Sequence, residues 1–244
     1  QTITFGIDGT NDAPRLTVPA HSGVVNTPTS NGARITTAVE QPDGKILVAG
    51  KLDQGMLIAR YNEDGTLDTS FSGDGISSLF TTIWDGWYAN AVNILIQDVA
   101  GESKILVAGK NDSNQTILAR FNSDGSFDEN FGTAGVFTYT FSGNWDDVCG
   151  VALSPSGDKV YAAHYSQYGL ALTSTLSDGT LDTGFSINEN GASFAAQLDL
   201  RPNALLIDND GKILVATTTY SNETTGWEAS VIRYLPDGSL DTGF

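Results

Sequence analysis

One string recurs four times along this chain, and that recurrence restricts the fold more than any other property. The first copy reads Gln41-Pro42-Asp43-Gly44-Lys45-Ile46-Leu47-Val48-Ala49-Gly50. It continues Leu57-Ile58-Ala59-Arg60-Tyr61-Asn62-Glu63-Asp64-Gly65-Thr66-Leu67-Asp68-Thr69-Ser70-Phe71. The second carries Lys104-Ile105-Leu106-Val107-Ala108-Gly109 and Ile117-Leu118-Ala119-Arg120-Phe121-Asn122-Ser123-Asp124-Gly125-Ser126-Phe127-Asp128. The third keeps Lys159-Val160-Tyr161-Ala162-Ala163 and Ser177-Asp178-Gly179-Thr180-Leu181-Asp182-Thr183-Gly184-Phe185. The fourth keeps Lys212-Ile213-Leu214-Val215-Ala216 and Val231-Ile232-Arg233-Tyr234-Leu235-Pro236-Asp237-Gly238-Ser239-Leu240-Asp241-Thr242-Gly243-Phe244. From lysine to lysine the steps are 59, 55 and 53 residues. A period of this length belongs to a solenoid, a propeller or an array.

Each copy holds four strand-like runs, which in the first are Arg34–Glu40, Lys45–Gly50, Met56–Tyr61 and roughly Ile76–Thr81. The runs are almost wholly apolar rather than alternating, so both faces of each sheet are expected to be covered. The 27 glycines suit many short strands joined by tight turns. No copy contains a helix-length amphipathic stretch. The expected fold is all-β: a β-propeller built from four four-stranded blades over residues 34–244, either a closed ring or part of a larger propeller. Residues 15–33 form a lead-in. Phe244 follows the Asp-Gly turn of copy four, so an early segment supplies the outer strand of that blade or further blades follow.

The string Q-P-D-G-K-I-L-V-A-G, followed by A-R-Y-N-x-D-G-x-L-D-x-S-F, resembles the delta-sixty repeat, a β-propeller-like module of bacterial surface and secreted proteins. Copy three departs from it by placing Ser174 where the others have Arg60, Arg120 and Arg233. Copy four has Asp208-Asn209-Asp210-Gly211 in place of Gln41-Pro42-Asp43-Gly44. The opening Thr2-Ile3-Thr4-Phe5-Gly6-Ile7-Asp8-Gly9-Thr10-Asn11-Asp12-Ala13-Pro14 is similar to the close of a VCBS or cadherin-like repeat. That resemblance implies that residues 1–14 end a preceding Ig-like stalk repeat or linker. It also implies flanking stalk domains as partners, a calcium-dependent stalk, and a secreted or cell-surface home on a bacterium. The alternative is that Thr2–Phe5 is an extra propeller strand that completes the last blade.

The chain has 29 acidic and 12 basic residues, for a net charge of −17. That charge opposes nucleic acid and anionic membrane, and no apolar run approaches membrane-spanning length. With Cys149 as the one cysteine and His21 and His164 as the two histidines, neither an intrachain disulfide nor a Cys/His zinc set is available. Cys149 lies in the apolar run Asp147-Val148-Cys149-Gly150-Val151, where an inert thiol is expected. Catalysis is not expected. The enzymatic alternative is a glycosidase or lyase using a carboxylate pair drawn from Asp85, Asp146, Asp147 and Glu228.

Antiparallel strands alternate direction, so the first–second and third–fourth turns of every blade share one face of the disc and the remaining loops share the other. The first set is nearly constant among the copies and reads as scaffold. The second varies and holds the unusual residues. Candidate ligand-binding residues are therefore Trp84, Asp85, Trp87, Tyr88, Trp145, Asp146, His164, Tyr165, Tyr168 and Trp227. Tryptophan beside Asp, Asn and Gln suits a sugar, because the ring covers its C–H side while polar groups take its hydroxyls. The expected ligand is a glycan or peptide on a host or neighbouring cell surface. The structural alternative is that the tryptophans wedge between blades or plug the central opening, and a purely structural propeller stays open as a third reading. Asp208 and Asp210 have some of the spacing of a Ca²⁺ loop, but no glutamate completes an EF-hand. Asp64, Asp68, Asp124, Asp128, Asp178, Asp182, Asp237 and Asp241 are expected to make the turns by bonding nearby backbone. Arg60, Arg120 and Arg233 are expected to pair with these carboxylates.

Overall fold

A computed structural model describes residues 24–27, 33–52, 55–79, 93–110, 115–140, 147–166, 169–185, 192–194, 200–221 and 226–244. The chain divides into two compact units, Gln1–Ser30 and Asn31–Phe244. In the first, the described residues 24–27 are irregular, and the candidate stalk strand lies outside the described residues.

Among the described residues the second unit holds fifteen strands and no helix: β1 (Arg34–Glu40), β2 (Ile46–Leu52), β3 (Gly55–Tyr61), β4 (Ile76–Leu79), β5 (Asn93–Val99), β6 (Glu102–Lys110), β7 (Thr116–Phe121), β8 (Val136–Tyr139), β9 (Asp147–Leu153), β10 (Lys159–Ser166), β11 (Gly169–Leu176), β12 (Ala192–Phe194), β13 (Arg201–Ile207), β14 (Ile213–Ser221) and β15 (Gly226–Tyr234). They form four antiparallel sheets in sequential order, β1-β2-β3-β4, β5-β6-β7-β8, β9-β10-β11-β12 and β13-β14-β15. This is the propeller-like arrangement expected from the repeat. The fourth sheet, however, has three strands among the described residues rather than four.

The turns explain why these segments become strands. In each repeat the first turn aspartate accepts from the backbone N–H and the hydroxyl of the residue two places on: Asp64 from Thr66, Asp124 from Ser126, Asp178 from Thr180 and Asp237 from Ser239. The glycine that follows takes a left-handed φ of 80° to 89°, which costs a residue without a side chain little. These two local devices reverse the chain at fixed intervals and set the register of the strands between them.

Three apolar layers hold the four sheets together. Leu47, Ile58 and Phe71 meet Ile105, Ile117 and Phe121 between the first and second sheets. Leu106, Leu118 and Phe131 meet Val151 and Val160 between the second and third. Tyr161, Leu172 and Phe185 meet Ile213 and Val215 between the third and fourth. Each layer is locked by the same fitting, in which a phenylalanine ring sits against the turn glycine of the next sheet. A Cβ built on Gly125 would lie 3.0 Å from the Phe71 ring, on Gly179 3.0 Å from Phe131, and on Gly238 2.9 Å from Phe185.

Among the described residues the set of sheets does not close. Phe71, Phe131 and Phe185 are wholly buried, whereas their counterpart Phe244 is 63% exposed. Ile58, Leu118 and Leu172 are buried likewise, while their counterpart Val231 is 52% exposed. The fourth sheet thus shows solvent the face that the first three turn to a neighbour. Among the described residues, therefore, the four sheets do not join into a closed ring.

Gly125→Ala tests the fitting. It forces an L side chain to a φ of 89° and drives its Cβ into the Phe71 ring. The left-handed conformation alone costs about 1–2 kcal/mol. Urea denaturation should show a loss of about 2 kcal/mol, and an unchanged midpoint would discount the fitting.

Candidate functional site

The turn end of the sheets is filled by internal chemistry. Arg60 Nε donates to Asp68 Oδ2 at 2.7 Å, Arg120 Nε to Asp128 Oδ2 at 2.8 Å, and Arg233 Nε to Asp241 Oδ2 at 2.8 Å. Each guanidinium also lies over the phenylalanine three residues beyond its aspartate, at 4.7 Å for Phe71, 4.5 Å for Phe131 and 4.3 Å for Phe244. Two of these arginines reach further. Arg60 Nη1 donates to the carbonyl of Ser123 in the second sheet's turn, and Arg120 Nη1 to that of Ser177 in the third sheet's. In the third repeat Ser174 replaces the arginine, and Asp182 is held by Lys159 Nζ at 2.7 Å and by the Ser174 hydroxyl at 3.2 Å.

Hydrogen bonds hold the turn carboxylates below the usual carboxylate range. Thr66, Ser126, Thr180 and Ser239 hydroxyls, then their backbone N–H groups, lower Asp64, Asp124, Asp178 and Asp237. Lys45 foremost lowers Asp68, and Lys212 foremost lowers Asp241. Asp208 spends its Oδ1 on the backbone N–H groups of Asp210 and Lys212, at 3.0 and 2.9 Å. No cluster of three or more His, Cys, Asp or Glu able to hold a metal ion occurs among the described residues.

The loop end differs. The second hairpin of each sheet ends there, and the β14–β15 hairpin extends furthest past its lysine, with Tyr220 paired to Trp227 and Ser221 to Gly226. The extension carries Tyr220 and Trp227 out of the packed sheet. Their rings meet edge to face at 5.7 Å, and Trp227 is 57% exposed. Arg201, at the start of β13, lays its guanidinium 4.7 Å from the Trp227 ring centroid and 5.5 Å from that of Tyr165. The four residues come from β10, β13, β14 and β15, so the third and fourth sheets together build this cluster. Nearby, Lys110 Nζ donates to Asp147 Oδ1 at 2.6 Å, and Asp147 is paired across the ladder with Tyr165.

Two of the sequence candidates, Tyr165 and Trp227, therefore meet here. His164 is corrected. It was expected on an exposed loop, but it lies within β10 and has no exposed surface. The Ser166 hydroxyl donates to the Gly169 carbonyl and draws the hairpin tight, which places His164 in the ladder opposite Ala171. Its Nδ1 lies 3.2 Å from Thr116 Oγ1 in the second sheet and its Nε2 lies 2.8 Å from Thr173 Oγ1. Burial pushes its pKa down to about 3, so the ring is neutral and ties sheets together. Trp84, Asp85, Trp87, Tyr88, Trp145, Asp146 and Tyr168 lie outside the described residues.

Of the four candidate catalytic carboxylates, Asp85 and Asp146 also lie outside the described residues, and Asp147 is ion-paired with Lys110. Burial raises the Cys149 thiol to about 11, which suppresses the thiolate. Arg201 and Tyr220 were not among the sequence candidates. A weak signal existed for Arg201, which stands outside the repeat's own arginine position.

Three segments of the chain, residues 41–71, 103–131 and 209–244, match a family model described as "Domain of unknown function (DUF5122) beta-propeller". No curated protein matches the chain. Among solved structures, it is similar to the Dos1 propeller, at 16% identity and a TM-score of 0.50, over 83% of this chain and 45% of that one. It is also similar to a catalytically inactive virginiamycin B lyase from Staphylococcus aureus, at 11% identity and a TM-score of 0.49, over 88% of this chain and 58% of that one. A gluconolactonase from Xanthomonas campestris is similar at 14% identity and a TM-score of 0.46, over 84% of this chain and 60% of that one. The chain spans less than two thirds of each, and the matched set mixes enzymes with a propeller whose description names no activity. The likeness to the Dos1 propeller speaks to fold. On its sheets the chain carries a β-propeller-like domain, three segments of which are similar to the DUF5122 β-propeller model.

Proposed function

We propose that this domain is a non-enzymatic binding module of a bacterial surface or secreted adhesin, related to the delta-sixty repeat proteins, and that it contacts glycan through its loop end. The observation that carries the reading is the exposed indole of Trp227, set edge to face with Tyr220 and stacked on Arg201. More than half of Trp227 lies open to solvent. Against a sugar it covers the apolar C–H side while neighbouring polar groups take hydroxyls. The constant turn end supports the same division of labour, since its carboxylates and arginines are spent on one another and on backbone.

Trp227→Ala tests the proposal. Binding on a glycan array, followed by calorimetry on the best ligand, should show an affinity loss of about tenfold, in line with the 0.5–1.5 kcal/mol of an aromatic contact. The melting temperature should stay unchanged, because the side chain is 57% exposed. A domain that binds no glycan, or binds one equally well without Trp227, sinks the reading.

A further inference from the structure

Arg201 differs from the arginines of the turn end in what holds it. Arg60, Arg120 and Arg233 each bind an aspartate. Lys45, Lys159 and Lys212 do the same. Arg201 lies between two aromatic rings and has no acidic partner among the described residues. In a chain with 29 acidic and 12 basic residues, that is the opposite of what random surface pairing would give. A cation–π contact consumes no N–H donor. All five N–H groups of a guanidinium lie in its plane, in the fork geometry that matches a carboxylate. Asp147, the acid closest in the ladder to Tyr165, is already bound to Lys110. Glu228 stands between Trp227 and Ala229 on β15, and strand alternation sends it to the face opposite Trp227.

We infer that the sugar taken by this end is an acidic one, a uronic acid, with its carboxylate on the in-plane N–H groups of Arg201 and its C–H face on Trp227. The inference rests on the glycan-binding reading above. A flat indole beside a free guanidinium edge favours a uronic acid over an acidic peptide. The sugar ring offers an apolar face next to its carboxylate, and an Asp or Glu side chain does not. The net charge of −17 opposes any polyanion at long range, but at physiological ionic strength the Debye length is about 8 Å, and contact chemistry decides.

The experiment compares oligouronates with the same oligomers after carboxyl reduction, which removes the charge and keeps the sugar rings. Binding is measured by calorimetry at physiological salt with a chelator present, so that calcium bridging plays no part. The wild-type domain should bind the acidic form about tenfold more tightly than the reduced form. Arg201→Gln should abolish that preference, and Arg201→Lys should retain only part of it, since a point charge replaces the fork. Equal affinity for both forms, or tighter binding of the reduced form, overturns the inference and leaves the glycan reading standing. Failure to bind either form, alongside an empty glycan array, overturns both. Because Arg201 is exposed, an unchanged melting temperature separates these results from loss of fold.

Discussion

Lowering the pH from 7.5 to 5 should cost the wild-type domain about 2 kcal/mol of stability through one side chain, His164. The ring is fully buried between the second and third sheets, and burial lowers its pKa from 6.5 to about 3. A group whose folded pKa lies below its unfolded one gives stability that is complete above the unfolded value. That stability is lost as pH falls toward the folded value, because the unfolded chain binds the proton first. At pH 5 the chain is 1.5 units below 6.5, and at about 1.36 kcal/mol per unit the loss is about 2 kcal/mol. Across the whole window down to pH 3 it reaches about 4–5 kcal/mol. The turn carboxylates do not confuse the measurement. Their pKa values are lowered from 3.8, so their contribution is intact above that value and is lost only below it. Urea denaturation at a series of pH values is the direct measurement. His164→Gln retains hydrogen-bonding groups for Thr116 and Thr173 but does not titrate, so its midpoint should be lower at pH 7.5 and flat down to pH 5. A wild-type curve that is itself flat, or a variant that keeps the slope, refutes the assignment.

Breaking the Arg120–Asp128 pair should be the most damaging single change at the turn end, at about 3–5 kcal/mol for Arg120→Ala. Both side chains are almost wholly buried, and removing one partner leaves an uncompensated carboxylate in the interior. The same change cuts the link to the Ser177 carbonyl in the third sheet and the contact with the Phe131 ring. Rescue is poor, since Lys104 Nζ is 3.9 Å from Asp128. Arg60→Ala provides the contrast. Lys45 Nζ already lies 2.9 Å from Asp68, so this loss should be clearly smaller. A loss at Arg120 of under about 1 kcal/mol, the range of a surface pair, or one no greater than at Arg60, would show that the buried pair is not holding the second and third sheets together.

The division between constant and variable ends was legible from the sequence because the four copies serve as controls for one another. Asp64, Asp124, Asp178 and Asp237 recur with a hydroxyl residue two places on, and that short-range chemistry builds the turns. The pairing of Arg60 and Arg120 with carboxylates was legible for the same reason. Their reach to Ser123 and Ser177 in the next sheet was not, since it depends on how two sheets stack. His164 misled because its neighbours read as a loop. A hairpin closed tightly at Ser166 and Gly169 moves it into the sheet. Arg201 carried almost no signal, because its partners come from other strands, with Trp227 twenty-six positions on and Tyr165 thirty-six before.

What the sequence determined by itself was the list of hairpins and their order. A left-handed glycine and a self-bonding aspartate decide a turn within five residues, and an apolar run between two such turns has one stable use, as a covered strand. Tertiary structure decided three things. It left the face of the fourth sheet bearing Val231 and Phe244 open to solvent. It turned a histidine into a neutral buried tie. It also brought to two aromatic rings an arginine that has no acidic partner among the described residues. Each of these depends on hairpin length and sheet stacking, which act between residues far apart in the chain and leave no mark in the local pattern.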